Sequence, residues 1–219
     1  MKKLYLYKAY ERFWHWAQAL LIIILLITGF EIHGTYSLLG YEKAMMLHDL
    51  SALTLFILLI FTVFWDFITG EWKQYIPTTK DFGKQVQFYL HGIFIGAHHP
   101  VKKTLNSKFN PIQGFTYLIL KLILMPIVLI SGIFYFLYQN NFIVIQISTL
   151  EPIAIIHTVG AFLILTFLVV HVYLTTTGHT PISNIIAMIT GWESFDNEEL
   201  TLIEIELEKE KQKIINKKK

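Results

Sequence analysis

The 219-residue sequence contains no cysteine. That absence removes disulfides, iron–sulfur clusters, thiolate zinc sites and covalent c-type haem attachment together. Any cofactor must then be held by histidine, methionine, carboxylates or backbone. Charge is scarce as well: 16% of residues are charged, against about 25% in an ordinary soluble chain. A net charge of only +2, with no basic stripe interleaved with aromatics, excludes nucleic acid as a partner. Apolar residues are what the chain has in plenty, at 54%, and its 17 Phe, 11 Tyr and 5 Trp suit the interfaces of a bilayer. Much of this protein is expected to lie in lipid.

A spanning helix needs about 20 mostly apolar residues. Four segments meet that length, at 13–30, 46–68, 115–138 and 152–176. The expected fold class is an all-α membrane protein, a bundle of four transmembrane helices over residues 1–192, with a charged tail over 193–219. Basic residues precede the first span as in a signal peptide. The span is bulky and lacks a small-residue cleavage site, so it reads as a retained helix. Pro126 lies in the middle of the third span and should kink it or open its hydrogen-bond ladder. Lys121, two turns inside that span, is expected to snorkel toward headgroups.

Lys and Arg number four before the first span (Lys2, Lys3, Lys8, Arg12), six in the 70–114 connection and six in the tail. The other two connections hold Lys43 alone. The positive-inside rule then puts both termini and the central loop in the cytoplasm, and the short loops 31–45 and 139–151 outside. Residues 85–97 and 181–192 mix aromatic and aliphatic side chains with little charge and read as short interfacial helices. In the tail, Leu200, Ile203, Leu207 and Ile214 give a helical stripe, whereas Ile203, Ile205 and Leu207 alternate; helix and strand both stand. Its Lys-rich end is expected to be disordered. No internal repeat is evident, nor the inverted symmetry of many transporters.

Four of the nine histidines fall within or at the start of apolar spans: His15, His48, His157 and His171. An ionisable residue in the membrane is a functional candidate by default, although a lone histidine can equally serve as a helix-packing hydrogen bond. The spacing of His157 and His171 argues for more. Fourteen residues are close to four helical turns, so both imidazoles leave one face, roughly 21 Å apart along the axis. Helix direction supplies their partners. The first span enters from the cytoplasm, which levels His15 with His171; the second enters from outside, which levels His48 with His157. Two histidines fill both axial positions of a haem iron and suit it to electron transfer. Two such haems, one per leaflet, would form a wire across the membrane. His33, at the outer end of the first span, competes with His48 as an outer ligand. His91, His98, His99 and His179 read as interfacial polar residues, since adjacent residues such as His98 and His99 do not face one site on a helix.

The run Tyr10-Glu11-Arg12-Phe13-Trp14-His15-Trp16 resembles the opening of the di-haem cytochrome b subunits of nickel–iron hydrogenases, formate dehydrogenase (gamma subunit) and thiosulfate reductase. The histidine pair fourteen apart, followed by Tyr173 and Thr176-Thr177, is similar to the same family, as is Ala187-Met188-Ile189-Thr190-Gly191-Trp192. The resemblance implies two haem b groups, His15 with His171 holding the inner one and His48 with His157 the outer. It also implies a menaquinone or ubiquinone site near the inner haem, with Asn110 and Gln113 bonding a quinone carbonyl beside His171. Helix capping by Asn110 before Pro111 is the equal alternative there. Arg12 is either a haem-propionate partner or a positive-inside anchor.

The implied setting is a bacterial inner membrane, with the chain passing electrons between the quinone pool and a periplasmic subunit that carries iron–sulfur clusters or c-type haems. That subunit would hold the substrate chemistry, so no catalytic residue is assigned here. It would dock on the short outer loops, where Glu31, His33, Glu42 and Glu151 are expected to line the surface, and the whole complex could form a homo-oligomer. Two other readings remain: a haem-free membrane anchor or small transporter with packing histidines, and a stand-alone quinone-linked cytochrome b.

Overall fold

The computed structural model describes residues 2–76, 78, 81–97, 100, 101, 104 and 108–217, the last without the side chains of 206, 210, 213, 214 and 217. Helices dominate. Four are long and apolar enough to cross a membrane: α1 (Ala9–Ile32), α2 (Tyr41–Thr69), a composite third helix over Pro111–Gln139, and α6 (Ile147–Thr175). The chain is thus a four-helix membrane bundle, as composition and hydropathy imply. Helices suit lipid because every backbone group finds its partner inside the segment. Thr54, Thr62, Thr69 and Thr166 add to this by donating their hydroxyls to carbonyls four residues back, at 2.7–2.9 Å.

The third helix is continuous but not uniform. It runs as α4 (Pro111–Ile119), a π-helical turn (Leu120–Leu124) and α5 (Met125–Gln139). The π turn precedes Pro126, which has no N–H to give to the carbonyl of Leu122; widening the ladder there is the expected response to a proline inside a helix. Each span outruns its apolar stretch. Tyr41–Met45 and Ile147–Glu151 add a polar first turn, so Pro152 lies inside α6 rather than at its start.

The chain divides into two compact units. One comprises 13–72 and 118–173, which is most of the spanning helices. Its core is formed by Leu55, Leu120, Met125 and Ile164, packed with Leu21, Ile22, Leu25, Leu124, Val128 and Phe167. Gly160 allows α6 to close on α5, since a Cβ there would lie 2.3 Å from Val128 Cγ2; small residues at helix contacts serve this purpose in lipid. Lys121 does not snorkel. Its ammonium sits 2.9 Å from Asp66 of α2 and over the ring of Trp14 of α1, 4.7 Å from the centroid. A buried carboxylate and an aromatic face are within reach, so the side chain need not find headgroups.

The other unit comprises 1–12, 73–117 and 174–219. Within it, β1 (Lys2–Tyr5) pairs antiparallel with β2 (Trp192–Phe195), Lys2 opposite Phe195 and Tyr5 opposite Trp192. Strand β2 lies astride the 192/193 boundary drawn from charge. Around this ribbon Leu6, Phe195 and Ile203 form a small core with Leu4, Tyr7 and Leu200. Central-loop residues form α3 (Phe82–Leu90) and a 3-10 turn (Gly92–Ile95), and α7 (Ser183–Thr190) follows the last span. Gly191 caps α7 at φ +88°, with its oxygen accepting from Leu6 and Tyr7 N–H; a Cβ there would lie 2.5 Å from the Tyr5 ring. The tail is helical, as α8 (Asn197–Lys217). Asp196 and Glu199 cap it reciprocally, each side chain accepting the other's backbone N–H at 2.8 and 2.9 Å.

Candidate functional site

Histidines from three helices meet in two pairs within the spanning unit. His15 of α1 and His171 of α6 have ring centroids 6.1 Å apart, and His48 of α2 and His157 of α6 are 6.3 Å apart. A linear bis-imidazole iron puts ring centres roughly 6 Å apart, given a metal–nitrogen bond of about 2 Å and the ring radius on each side. Both separations fit that requirement, and neither pair is in direct hydrogen-bond contact. Between the two levels lies the apolar core, with Leu55 seven residues beyond His48, and Ile164 seven from each α6 histidine. Among the described residues no group of three or more His, Asp or Glu could hold a bare metal ion. A haem asks only for two axial side chains, because its macrocycle supplies the other ligands.

The His48/His157 end is built with care for ring orientation. Thr28 Oγ1 lies 2.9 Å from His48 Nδ1, and Ser131 Oγ lies 3.1 Å from His157 Nδ1. The carbonyl of Val128 also accepts from His157 Nδ1 at 3.1 Å. With Nδ1 bonded on both rings, Nε2 is left as the lone-pair nitrogen that an iron needs. The next residue in each case is glycine. A Cβ on Gly29 would stand 3.5 Å from His48 Cε1, and one on Gly132 only 3.1 Å from His157 Cε1. These four positions were missed in the sequence, yet a short signal exists. Leu26-Ile27-Thr28-Gly29 and Leu129-Ile130-Ser131-Gly132 repeat one pattern on two helices, each cradling a histidine.

The His15/His171 end differs. His15 Nδ1 is buried with no hydrogen-bond partner among the described residues, and its ring meets Trp16 edge-on at 5.2 Å. His171 stacks on Phe167 at 5.4 Å with ring planes 17° apart.

Other residues singled out from the sequence fall elsewhere. His33 is exposed and reaches Thr158 Oγ1 at 3.5 Å, while His48 occupies the place opposite His157. Asn110 and Gln113 come together as a reciprocal cap at the start of α4, each side-chain oxygen accepting the other's backbone N–H at 2.9 and 3.1 Å. Asn110 Nδ2 also donates to Tyr89 at 2.8 Å. That is the capping alternative, and it leaves Gln113 Nε2 without a partner among the described residues. Arg12 donates to the Ile189 carbonyl and to Tyr5 Oη. His91 ends α3, His179 lies 3.9 Å from Glu199, and His98 and His99 lie outside the described residues. Glu42, Glu151 and His33 are exposed. Glu31 is not available to a docking partner: it is 5% exposed, and its Oε1 accepts the backbone N–H groups of Leu38, Leu39 and Gly40 at 2.6–2.8 Å. A carboxylate at the end of a span needs such donors once water is withdrawn, and the turn after α1 supplies them.

Two known proteins and one family model resemble this chain. The putative cytochrome YdhU of Escherichia coli (strain K12) is 30% identical over 201 residues, 87% of this chain and 75% of that protein. A probable Ni/Fe-hydrogenase B-type cytochrome subunit of Rhodobacter capsulatus is 23% identical over 196 residues, 77% of this chain and 72% of the relative. The family model for prokaryotic cytochrome b561 matches residues 6–191, which takes in all four spans and every paired histidine. This chain is a multi-pass membrane cytochrome of the b type and belongs to the prokaryotic cytochrome b561 family.

Proposed function

We propose that this chain conducts electrons across a bacterial inner membrane through two b haems, between a redox subunit outside and the quinone pool. His15 and His171 would hold the inner haem, and His48 and His157 the outer one. The observation that carries the reading is the paired convergence of histidines at ring separations of 6.1 and 6.3 Å. When bound, each haem would supply one-electron chemistry, and being held by two histidines would suit it to electron transfer rather than to binding oxygen or substrate. The protein's own share is to set orientation and environment. Thr28, Ser131 and the Val128 carbonyl hold two rings by Nδ1, and the apolar residues between the levels keep water and ions out of the path. Lys and Arg on one side of the spans, sixteen against Lys43 alone, support cytoplasmic termini by the positive-inside rule.

At the quinone end, Gln113 Nε2 is the donor that would meet a quinone carbonyl, with Asn110 fixed beside it by Tyr89 and the cap. The outer partner would carry iron–sulfur clusters or c-type haems, since this chain has no cysteine for either. The hydrogenase-subunit name of the Rhodobacter relative supports a multi-subunit assembly over a stand-alone cytochrome. Pyridine haemochrome analysis of the purified chain tests the reading, with about two b haems per polypeptide as the expected outcome. A colourless protein from haem-replete cells would leave only the anchor or transporter alternative.

A further inference from the structure

The two histidine pairs are not held alike, and the difference has an electronic consequence. Thr28 and Ser131 are almost fully buried, at 1% and 5% exposure, so water does not compete for their hydroxyls. Each hydroxyl donates to the carbonyl four residues back, Ile24 or Ile127, at 2.8 Å. The hydroxyl proton is therefore committed, and toward the histidine the oxygen must accept. That makes Nδ1 the donor on both rings, at 2.9 Å for His48 and 3.1 Å for His157. At the other end His15 Nδ1 has no partner among the described residues.

We propose that Thr28 and Ser131 are positioning residues that tune the outer haem, lowering its midpoint potential relative to the same ligands without the hydroxyls. The inference rests on the ligand assignment proposed above. An imidazole that donates from Nδ1 to an acceptor carries more electron density at Nε2 and is a more basic ligand. A more basic axial ligand favours the oxidised, more positive iron, and the reduction potential falls. Two such bonds act on one iron at the outer level, and His15 supplies no counterpart at the inner level. The glycines after each hydroxyl let the rings approach the helices closely enough for these bonds to form. His157 also keeps the Val128 carbonyl as an acceptor at Nδ1. Loss of the Ser131 hydroxyl should therefore weaken the Nδ1 bonding without releasing that ligand.

The test is a redox titration of the full-length chain in detergent, following both haem components of wild type, Thr28→Val, Ser131→Ala, the double variant, and the conservative Thr28→Ser and Ser131→Thr. His48→Ala serves as reference, because the component it removes is the outer haem. The expected result is a positive shift of the outer midpoint in Thr28→Val and Ser131→Ala, larger in the double variant, with the inner midpoint unmoved and the conservative variants at wild-type values. An outer midpoint that stays or falls overturns the tuning role while His48→Ala, by losing one haem, leaves the ligand assignment intact. Loss of the haem itself in both Thr28→Val and Ser131→Ala would make the hydroxyls scaffolding and also overturn it. If His48→Ala keeps both haems, the ligand assignment fails first.

Discussion

Gly132 and Lys121 show how single side chains shape this protein. Gly132 lies under His157 with room for a hydrogen and little else, since an added Cβ would stand 3.1 Å from the ring. Gly132→Val should displace the imidazole and lower the haem content from about two per chain to about one, while Gly132→Ala asks for a shift of only a few tenths of an ångström and should retain most of it. Pyridine haemochrome analysis reads both. Lys121 and Asp66 form a pair whose side chains are only 18% and 11% exposed. Removing one partner leaves an uncompensated charge, which costs about 3–5 kcal/mol in a buried site. Lys121→Met should accordingly lower the unfolding temperature in detergent, and the double change Asp66→Leu with Lys121→Met should recover most of the loss. A single variant as stable as wild type would show that the pair contributes little. Neither residue's role was readable locally: Lys121 looked like a snorkelling cation because its partner lies 55 positions earlier in the chain.

At the scale of elements, the apolar cores of the spans were legible and their ends were not. Hydropathy marks where lipid begins, but a helix continues as long as its backbone bonds can be made. Tyr41–Met45 and Ile147–Glu151 do so outside the apolar stretch. Pro126 announced a break in the third helix, and the response is a π turn beginning six residues earlier. The tail helix was within reach of sequence reasoning. Asp196 and Glu199 are spaced as a capping box, and that signal outweighs the ambiguous alternation of Ile203, Ile205 and Leu207. By contrast β1 and β2 pair across nearly the whole chain and carry no local sign of it. The turn after α1 depends on Glu31, whose carboxylate collects three amides. Glu31→Ala should speed amide hydrogen exchange at Leu38, Leu39 and Gly40, leaving exchange in the α6 interior unchanged; equal protection in the variant would contradict that role.

For the molecule as a whole, membership of the prokaryotic cytochrome b561 family and the four spans agree with what composition imposed. A chain without cysteine, poor in charge and carrying histidines inside apolar helices has few ways to hold a redox group. The fourteen-residue spacing of His157 and His171 was readable because helical periodicity converts spacing into direction and height. Which histidine each hydroxyl–glycine cradle holds was not, because the partners lie 20 and 26 positions apart on different helices. Charge asymmetry predicts a cytoplasmic C-terminus: a fluorescent-protein fusion there should be bright and an alkaline phosphatase fusion inactive, and the reverse pattern would invert the assignment of inner and outer haems. Whether two histidine pairs hold two haems is decided by haem quantitation with redox titration of His15→Ala, His48→Ala, His157→Ala and His171→Ala. Each variant should keep one haem, with His15→Ala and His171→Ala losing the same component and His48→Ala and His157→Ala losing the other. Variants that keep both haems, or that lose them in any other pairing, would contradict that assignment.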